Sequence, residues 1–371
     1  MTVDRYAAVI LAAGLSSRME EFKPLLSIGG ETITDRVISM FLQNDVEVVL
    51  VTGWRRDELI AGIEHRDITV VENHNYKSGM FSSVRAGVSH LPPHHRAFFV
   101  MPVDIPLVRP TTIKLLQEYA AEHAGKIIHP VFLGNRGHPP LIPPSLVPEI
   151  INWQGDGGLK AILDSHSEMN VEVKVPDENI LLDVDNREDY TTLLERFRRY
   201  DIPTEQECMA IMDIAGTPDK IRRHCQKVTG VAVAIAEALS AVGMEVGVEA
   251  IRTASILHDI AKGQPEHDIA GGRMLSGMGF VRIGDIVAMH TDLAGSETTA
   301  SIEAKIVYLA DKFVGDEELV SIEERYNSAA EKYGAKPEIA DKIERYKQQA
   351  LSVKEEVKAL LGYSPDRIIF S

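Results

Sequence analysis

The stretch Ala7-Ala8-Val9-Ile10-Leu11-Ala12-Ala13-Gly14-Leu15-Ser16-Ser17-Arg18-Met19 decides the reading of the first half of the chain. The apolar run 7–11 predicts a short strand. The small residues and glycine after it let backbone N–H groups approach a phosphate closely. Arg18 would add a forked cation and Lys23 a point charge. Working outward, strand-like runs recur at 46–52, 68–72, 97–101, 127–131, 171–175 and 180–184. Helical patterns lie between the early ones, at 32–43, 56–63, 81–90 and 111–122. Strands alternating with helices predict a doubly wound, mostly parallel α/β sheet.

From about Asp201 the punctuation changes. Ile221, Cys225, Val228, Ala232, Ile235, Leu239 and Val242 recur every three or four residues, one apolar helix face. Further helices are expected at 248–261, 269–278, 302–314 and 337–361. The expected organisation is an α/β domain over 1–200, a linker or first helix over 201–216, and an all-α domain over 217–371. The tail 328–361 reads as a packing or homodimer helix.

The 371 residues suit two domains at about 150 residues each. Hydrophobic residues make up 44% and charged residues 25%, with a net charge of −16. Such acidity disfavours nucleic acid and anionic lipid as partners. Small phosphorylated ligands remain compatible, because local cations or a metal outweigh the global field. Two cysteines, Cys208 and Cys225, exclude a disulfide framework. No apolar run is long enough for a membrane helix, and the N-terminus carries no signal-peptide pattern. The expectation is a soluble, cytoplasmic protein.

Leu11-Ala12-Ala13-Gly14-Leu15-Ser16-Ser17-Arg18-Met19 with Lys23-Pro24-Leu25-Leu26 resembles the signature loop of the molybdenum cofactor cytidylyltransferases. Further segments resemble that family in the same order. They are Asn73 through Gly79-Met80-Phe81-Ser82-Ser83 to Gly87, and Met101-Pro102-Val103-Asp104-Ile105-Pro106. Arg136-Gly137-His138-Pro139-Pro140 and Gly155 to Lys160 follow, then Leu182-Asp183-Val184-Asp185 to Tyr190. Glu20 stands where the family usually has glycine, and Asn186-Arg187 replaces its Thr-Pro pair. The resemblance implies Mg²⁺-dependent transfer of CMP from CTP to molybdopterin cofactor, with pyrophosphate leaving. Leu11, Ala12, Ala13, Gly14, Ser16, Arg18, Lys23, Gly79 and Ser83 would bind the nucleotide. Asp104 and Asp185 would hold Mg²⁺, a role that suits oxygen ligands, and Arg18, Lys23 and Asp104 would be catalytic. CTP is favoured over GTP because the guanylyl branch has a second glycine where this chain has Ala13. Helix N-capping is the structural alternative for both aspartates. His138 reads equally as a loop residue or an acceptor contact.

In the second half, His224, the His258-Asp259 pair and Asp311 on separate helical segments form a bundle-core metal set. A buried carboxylate without a partner is costly, which favours metal at the His-Asp pair. The order resembles the HD-type phosphohydrolase superfamily over about 217–315. His267 and His290 resemble the extra ligands of its dinuclear members, in which paired metals activate water and clamp phosphate. The metal would be Mn, Fe or Zn, and Lys262 would contact the phosphate as a further catalytic residue.

Together these resemblances imply a bifunctional enzyme whose product serves a molybdenum hydroxylase, with that hydroxylase or its maturation factor as partner. The alternatives are another phosphorylated acceptor such as a sugar phosphate, GTP as donor, and an HD half that only binds metal or nucleotide as a regulator.

Overall fold

The computed structural model describes residues 5–15, 19, 21–65, 67–293 and 299–370. The chain forms two compact units, Met1–Tyr200 and Asp201–Ser371.

In chain order, the first unit runs β1 (Tyr6–Ala12), β2 (Ser27–Ile28), β3 (Glu31–Thr32), α1 (Ile33–Leu42), β4 (Val46–Thr52), α2 (Arg56–Gly62), β5 (Thr69–Glu72) and α3 (Met80–Val88). Then come β6 (Ala97–Pro102), α4 (Pro110–Glu122), β7 (Ile127–Phe132), β8 (Asn135–Arg136), β9 (Leu141–Ile142), α5 (Val147–Asn152), α6 (Gly158–Ser165), β10 (Asn170–Lys174) and α7 (Arg187–Arg198). The eight-stranded sheet has the order β10-β7-β9-β6-β1-β4-β5, with β8 on β7. The β4, β6 and β7 pairings to β1, β5 and β10 are parallel, giving the expected mostly parallel α/β architecture. Leu11 is level with Val51 and Pro102, so β1, β4 and β6 end at one edge. Ligands of open α/β sheets collect at that carboxyl edge. β1 is buried throughout, and α3 packs against its Ala7, Val9 and Leu11 face. A Cβ at Gly87 would run into Val9 and Val51, so the glycine permits that close approach.

One local expectation fails here. The run 180–184 is not a strand. Asp177 accepts from the Asn179 amide and caps a 3₁₀ turn, Glu178–Leu181. Ile180 and Val184 are nonetheless fully buried. A side chain that captures local amides draws the backbone away from a ladder. In addition, the antiparallel strand β9 joins β6 and β7 without having been anticipated. Its two residues, between Pro139-Pro140 and Pro143-Pro144, are too few to show any period.

The second unit is helical: α8 (Glu205–Ile214), α9 (Asp219–Ala241), α10 (Val248–Leu257), α11 (His267–Gly277), α12 (Val281–Val287), α13 (Ile302–Lys312), the hairpin β11 (Val314–Gly315) and β12 (Glu318–Leu319), α14 (Ile322–Tyr333), α15 (Pro337–Leu361) and α16 (Asp366–Ile369). Cys208, Ile211 and Met212 of α8 join its core. α10 stops at Leu257, short of the expected 261. The Ile260 and Lys262 amides bond three residues back, to Leu257 and Asp259, so the chain tightens into turns. Among the described residues, no helix is long and apolar enough to cross a membrane.

Candidate active sites

In the first unit, the Val103 amide donates to the Leu11 carbonyl at 3.1 Å, which sets Asp104 beside the loop after β1. The Val184 amide donates to the Asp104 carbonyl at 2.9 Å, which brings in Asp185 from far along the chain. Lys23 Nζ then reaches Asp185 Oδ1 at 2.9 Å, its side chain only 12% exposed. Asp185 is further held by α7: its amide donates to Asp189 Oδ2, part of the capping box closed by Asn186. Burial pushes the Asp104 carboxyl above its ordinary value; Lys23 opposes the rise, and Asp183 and Asp185 add to it. Among the described residues, Asp104, Asp185 and Lys23 thus meet at the end of β6. The oxygen donors fit a hard divalent cation.

A cavity of about 300 Å³ opens there, lined by Leu11, Ala12, Ala13, Gly14, Lys23, Gly79, Ser83 and Asp104, among others. Ser83 is buried and its hydroxyl accepts from Asn73 Nδ2. Gly79, at φ +93, is the residue before the first turn of α3. The amides of that turn and the helix dipole favour an anion. A Cβ at Gly14 would meet nothing within 4 Å, so the loop after β1 borders open space. Ser16 and Arg18 lie outside the described residues.

A second cavity of about 570 Å³ adjoins the first, sharing Leu11, Gly79, Met80 and Pro102. It gathers the two late segments, through Arg136, His138, Gly157 and Lys160, together with His129. His129 was not singled out from sequence, although an imidazole inside the apolar run Ile127 to Phe132 was a visible signal. Burial lowers the pKa of both His129 and His138.

The second unit assembles all six expected ligands. His224 comes from α9, His258 and Asp259 directly follow α10, His267 opens α11, His290 follows α12 and Asp311 sits on α13. Ligand atoms of His224, His258 and Asp259 lie within 4.8 Å of one another, and so do those of Asp259, His267 and His290. Asp259 is common to both clusters. Its Oδ1 is 3.2 Å from His267 Nε2 and 3.3 Å from His290 Nε2. Its Oδ2 faces His258 at 3.7 Å and His224 at 3.9 Å. Asp311 Oδ1 adds a contact to His224 Nε2 at 3.2 Å.

Backbone carbonyls orient three of the rings. Nδ1 of His224, His258 and His290 bonds the carbonyls of Asp316, Ser255 and Val287. A carbonyl only accepts, so Nδ1 carries a proton and Nε2 of each ring is turned inward toward the carboxylates. His258 Nε2 is buried with no hydrogen-bond partner. An unpartnered buried ring nitrogen among converging imidazoles and carboxylates fits a divalent metal. Burial alone would raise the Asp259 carboxyl, but hydrogen bonds from His267 and His290 hold it well below the usual carboxylate range. Lys262 lies on a turn, 47% exposed, with Nζ 3.0 Å from Asp259 Oδ2. Lys312 and Arg325 pair with Asp311, and neither was singled out from sequence. A lysine inside the apolar stretch 306–314 was the available sign.

Residues 8–169 match the MobA-like NTP transferase domain, and residues 221–316 match the HD domain. The chain is similar to a molybdenum cofactor cytidylyltransferase of Escherichia coli (strain K12), 30% identical over 190 residues, covering 51% of this chain and 95% of that protein. It is similar to a nicotine blue oxidoreductase of Paenarthrobacter nicotinovorans, 30% identical over 198 residues, covering 50% of this chain and 95% of that protein. Among solved structures it resembles Rv0371c from Mycobacterium tuberculosis H37Rv at 25% identity and a TM-score of 0.47, covering 52% of this chain and all of that one. Fold and cleft define a nucleotidyltransferase. The chain belongs to the MobA-like NTP transferase family, and an HD domain follows in the same polypeptide.

Proposed function

We propose that the first unit transfers CMP from CTP to the terminal phosphate of molybdopterin cofactor and releases pyrophosphate. The observation that carries this reading is the meeting of Lys23, Asp104 and Asp185 where two adjoining cavities open at one sheet edge. The smaller cavity suits the nucleotide. The amides after β1 and at the start of α3 receive its phosphates, and Ser83 lies within reach of it. The larger, mostly apolar cavity suits a flat acceptor, with Arg136 and Lys160 available to its phosphate. Lys23, with Arg18, neutralises charge on the departing pyrophosphate. Asp104 and Asp185 would hold Mg²⁺, which when bound supplies the remaining charge neutralisation on the triphosphate. Catalysis then rests on alignment of acceptor and α-phosphorus rather than on proton transfer.

The second unit is read as a phosphohydrolase acting on a phosphoester or phosphoanhydride. His224, His258, Asp259 and Asp311 would hold one divalent metal, and Asp259, His267 and His290 a second. Such a pair supplies Lewis acidity toward water and phosphate. Lys262, at the exposed margin and paired with Asp259, would be the cation available to orient the phosphate with metal held on that carboxylate.

The deciding experiment is pyrophosphate release by the whole chain with Mg²⁺, molybdopterin cofactor and either CTP or GTP. A CTP-dependent signal abolished by Asp104→Ala supports the reading. A signal with GTP alone overturns the donor, and silence with both overturns the acceptor. Hydrolysis of p-nitrophenyl phosphates with Mn²⁺ or Fe²⁺ tests the second unit; no turnover by metal-loaded protein would favour a binding-only regulator.

A further inference from the structure

Lys312 occupies the last turn of α13 and is buried. Its Nζ donates to Asp311 Oδ2 at 2.8 Å and to the His290 carbonyl at 2.9 Å, and it lies 4.6 Å from the Tyr308 ring centroid. A buried ammonium is expensive unless its partners are well placed. Here one partner belongs to each ligand cluster. Asp311 stands with His224 and His258, whereas His290 stands with His267.

The contact has two geometric consequences. Lys312 and the Arg325 guanidinium, 3.5 Å away, occupy Oδ2 of Asp311, so that Oδ1 alone faces the imidazoles. The carboxylate is thereby presented as a one-oxygen ligand. The same ammonium also fixes the backbone of His290, whose ring is already aimed by its bond to the Val287 carbonyl. Arg325 differs, because its bonds go to Asp311 and to the Val314 carbonyl and none of them reaches His290.

We propose that Lys312 is a positioning residue that couples the two ligand clusters, so that its loss weakens metal binding at both although no ligand is altered. The inference rests on the reading of the second unit as a two-metal centre. Losing a group that orients ligands commonly costs about 10–100-fold in metal affinity.

The test is Mn²⁺ titration of the whole chain, reading free Mn²⁺ by electron paramagnetic resonance and bound metal by elemental analysis. With Asp104→Ala carried in every variant, so that the divalent site proposed for the first unit does not contribute, the otherwise wild-type chain is expected to take two equivalents. Lys312→Met should weaken both by about tenfold or more, and Arg325→Met should weaken one. Lys312→Gln, which keeps an N–H donor, should fall between Lys312→Met and wild type. If Lys312→Met loses its helical circular dichroism, Lys312→Gln decides by the same criterion of two equivalents against one. Wild-type affinities in the lysine variants, or loss confined to one equivalent, would overturn the coupling while leaving the metal centre standing. A wild-type chain that binds no Mn²⁺ overturns the metal-centre reading and the coupling with it.

Discussion

Lys23 Nζ and Asp185 Oδ1 stand 2.9 Å apart across 162 residues of chain. The pair closes the first unit on itself, tying the loop after β1 to the N-terminus of α7 beside Asp104. An ammonium that here neutralises a carboxylate would be available to a phosphate if that carboxylate held the proposed metal.

Lys23→Ala should therefore reduce kcat for pyrophosphate release by about 10²–10³-fold, the usual cost of one preorganised electrostatic contact. Lys23→Arg keeps the charge and should recover part of it. Steady-state kinetics at saturating Mg²⁺ and CTP measure both. A Lys23→Ala enzyme within a few-fold of wild type would remove the residue from the chemistry.

His258→Ala combined with Asp259→Ala removes the orphaned imidazole and the carboxylate common to both clusters. Bound transition metal should fall to background, while pyrophosphate release by the first unit continues unchanged. Elemental analysis and the release assay on one preparation check the two halves of this statement. Loss of both activities together would mean that the two units are functionally inseparable.

Asp177 is fully buried and accepts from the Arg109 amide, the Thr112 hydroxyl and Asn179 Nδ2, each at 2.8 Å. Arg109 Nε lies 3.7 Å from the same carboxylate. Asp177→Ala leaves several of these donors buried without an acceptor and should cost about 3 kcal/mol. Calorimetry should show the transition of the first unit falling by roughly 6–12 °C, with the helical unit unmoved.

His129 and His138 supply a pH dependence whose sign follows from burial, which depresses both below their ordinary value of 6.5. Below that pH the unfolded chain takes up protons that the folded unit refuses. Stability contributed by the neutral rings is therefore present above 6.5 and is lost as pH falls toward the depressed folded values. Between pH 7 and pH 5 the denaturation midpoint should fall less steeply in His138→Gln than in wild type. Parallel slopes would show that His138 does not differ in protonation between the two states.

Much of this protein was legible before any fold was known. Local periodicity and turn chemistry located β1, β4, β6, β7, α1 to α4, α9 and α15 to within a residue or two. A strand with one buried face and a helix with an apolar stripe each write their period into consecutive residues. The six histidines and aspartates that cluster in the second unit were also singled out beforehand, His224, His258, Asp259 and Asp311 from their order on helical segments and His267 and His290 from the resemblance to dinuclear HD enzymes. The sequence could not show which oxygen of Asp259 faces which histidine, since that depends on the mutual placement of α9 to α13. Neither could it reveal the Lys23–Asp185 pair, the carbonyls that aim His224, His258 and His290, or Lys312 lying between Asp311 and His290. The turn at 178–181 escaped because the Asp177 cap overrode the local pattern, and the two-residue strand β9 because it is too short to carry one. Residue types and their order pointed to the transferase and HD families that the domain matches then showed. Only the packing of distant segments, where a hydrogen bond is won or lost within an ångström, decides how those groups are aimed.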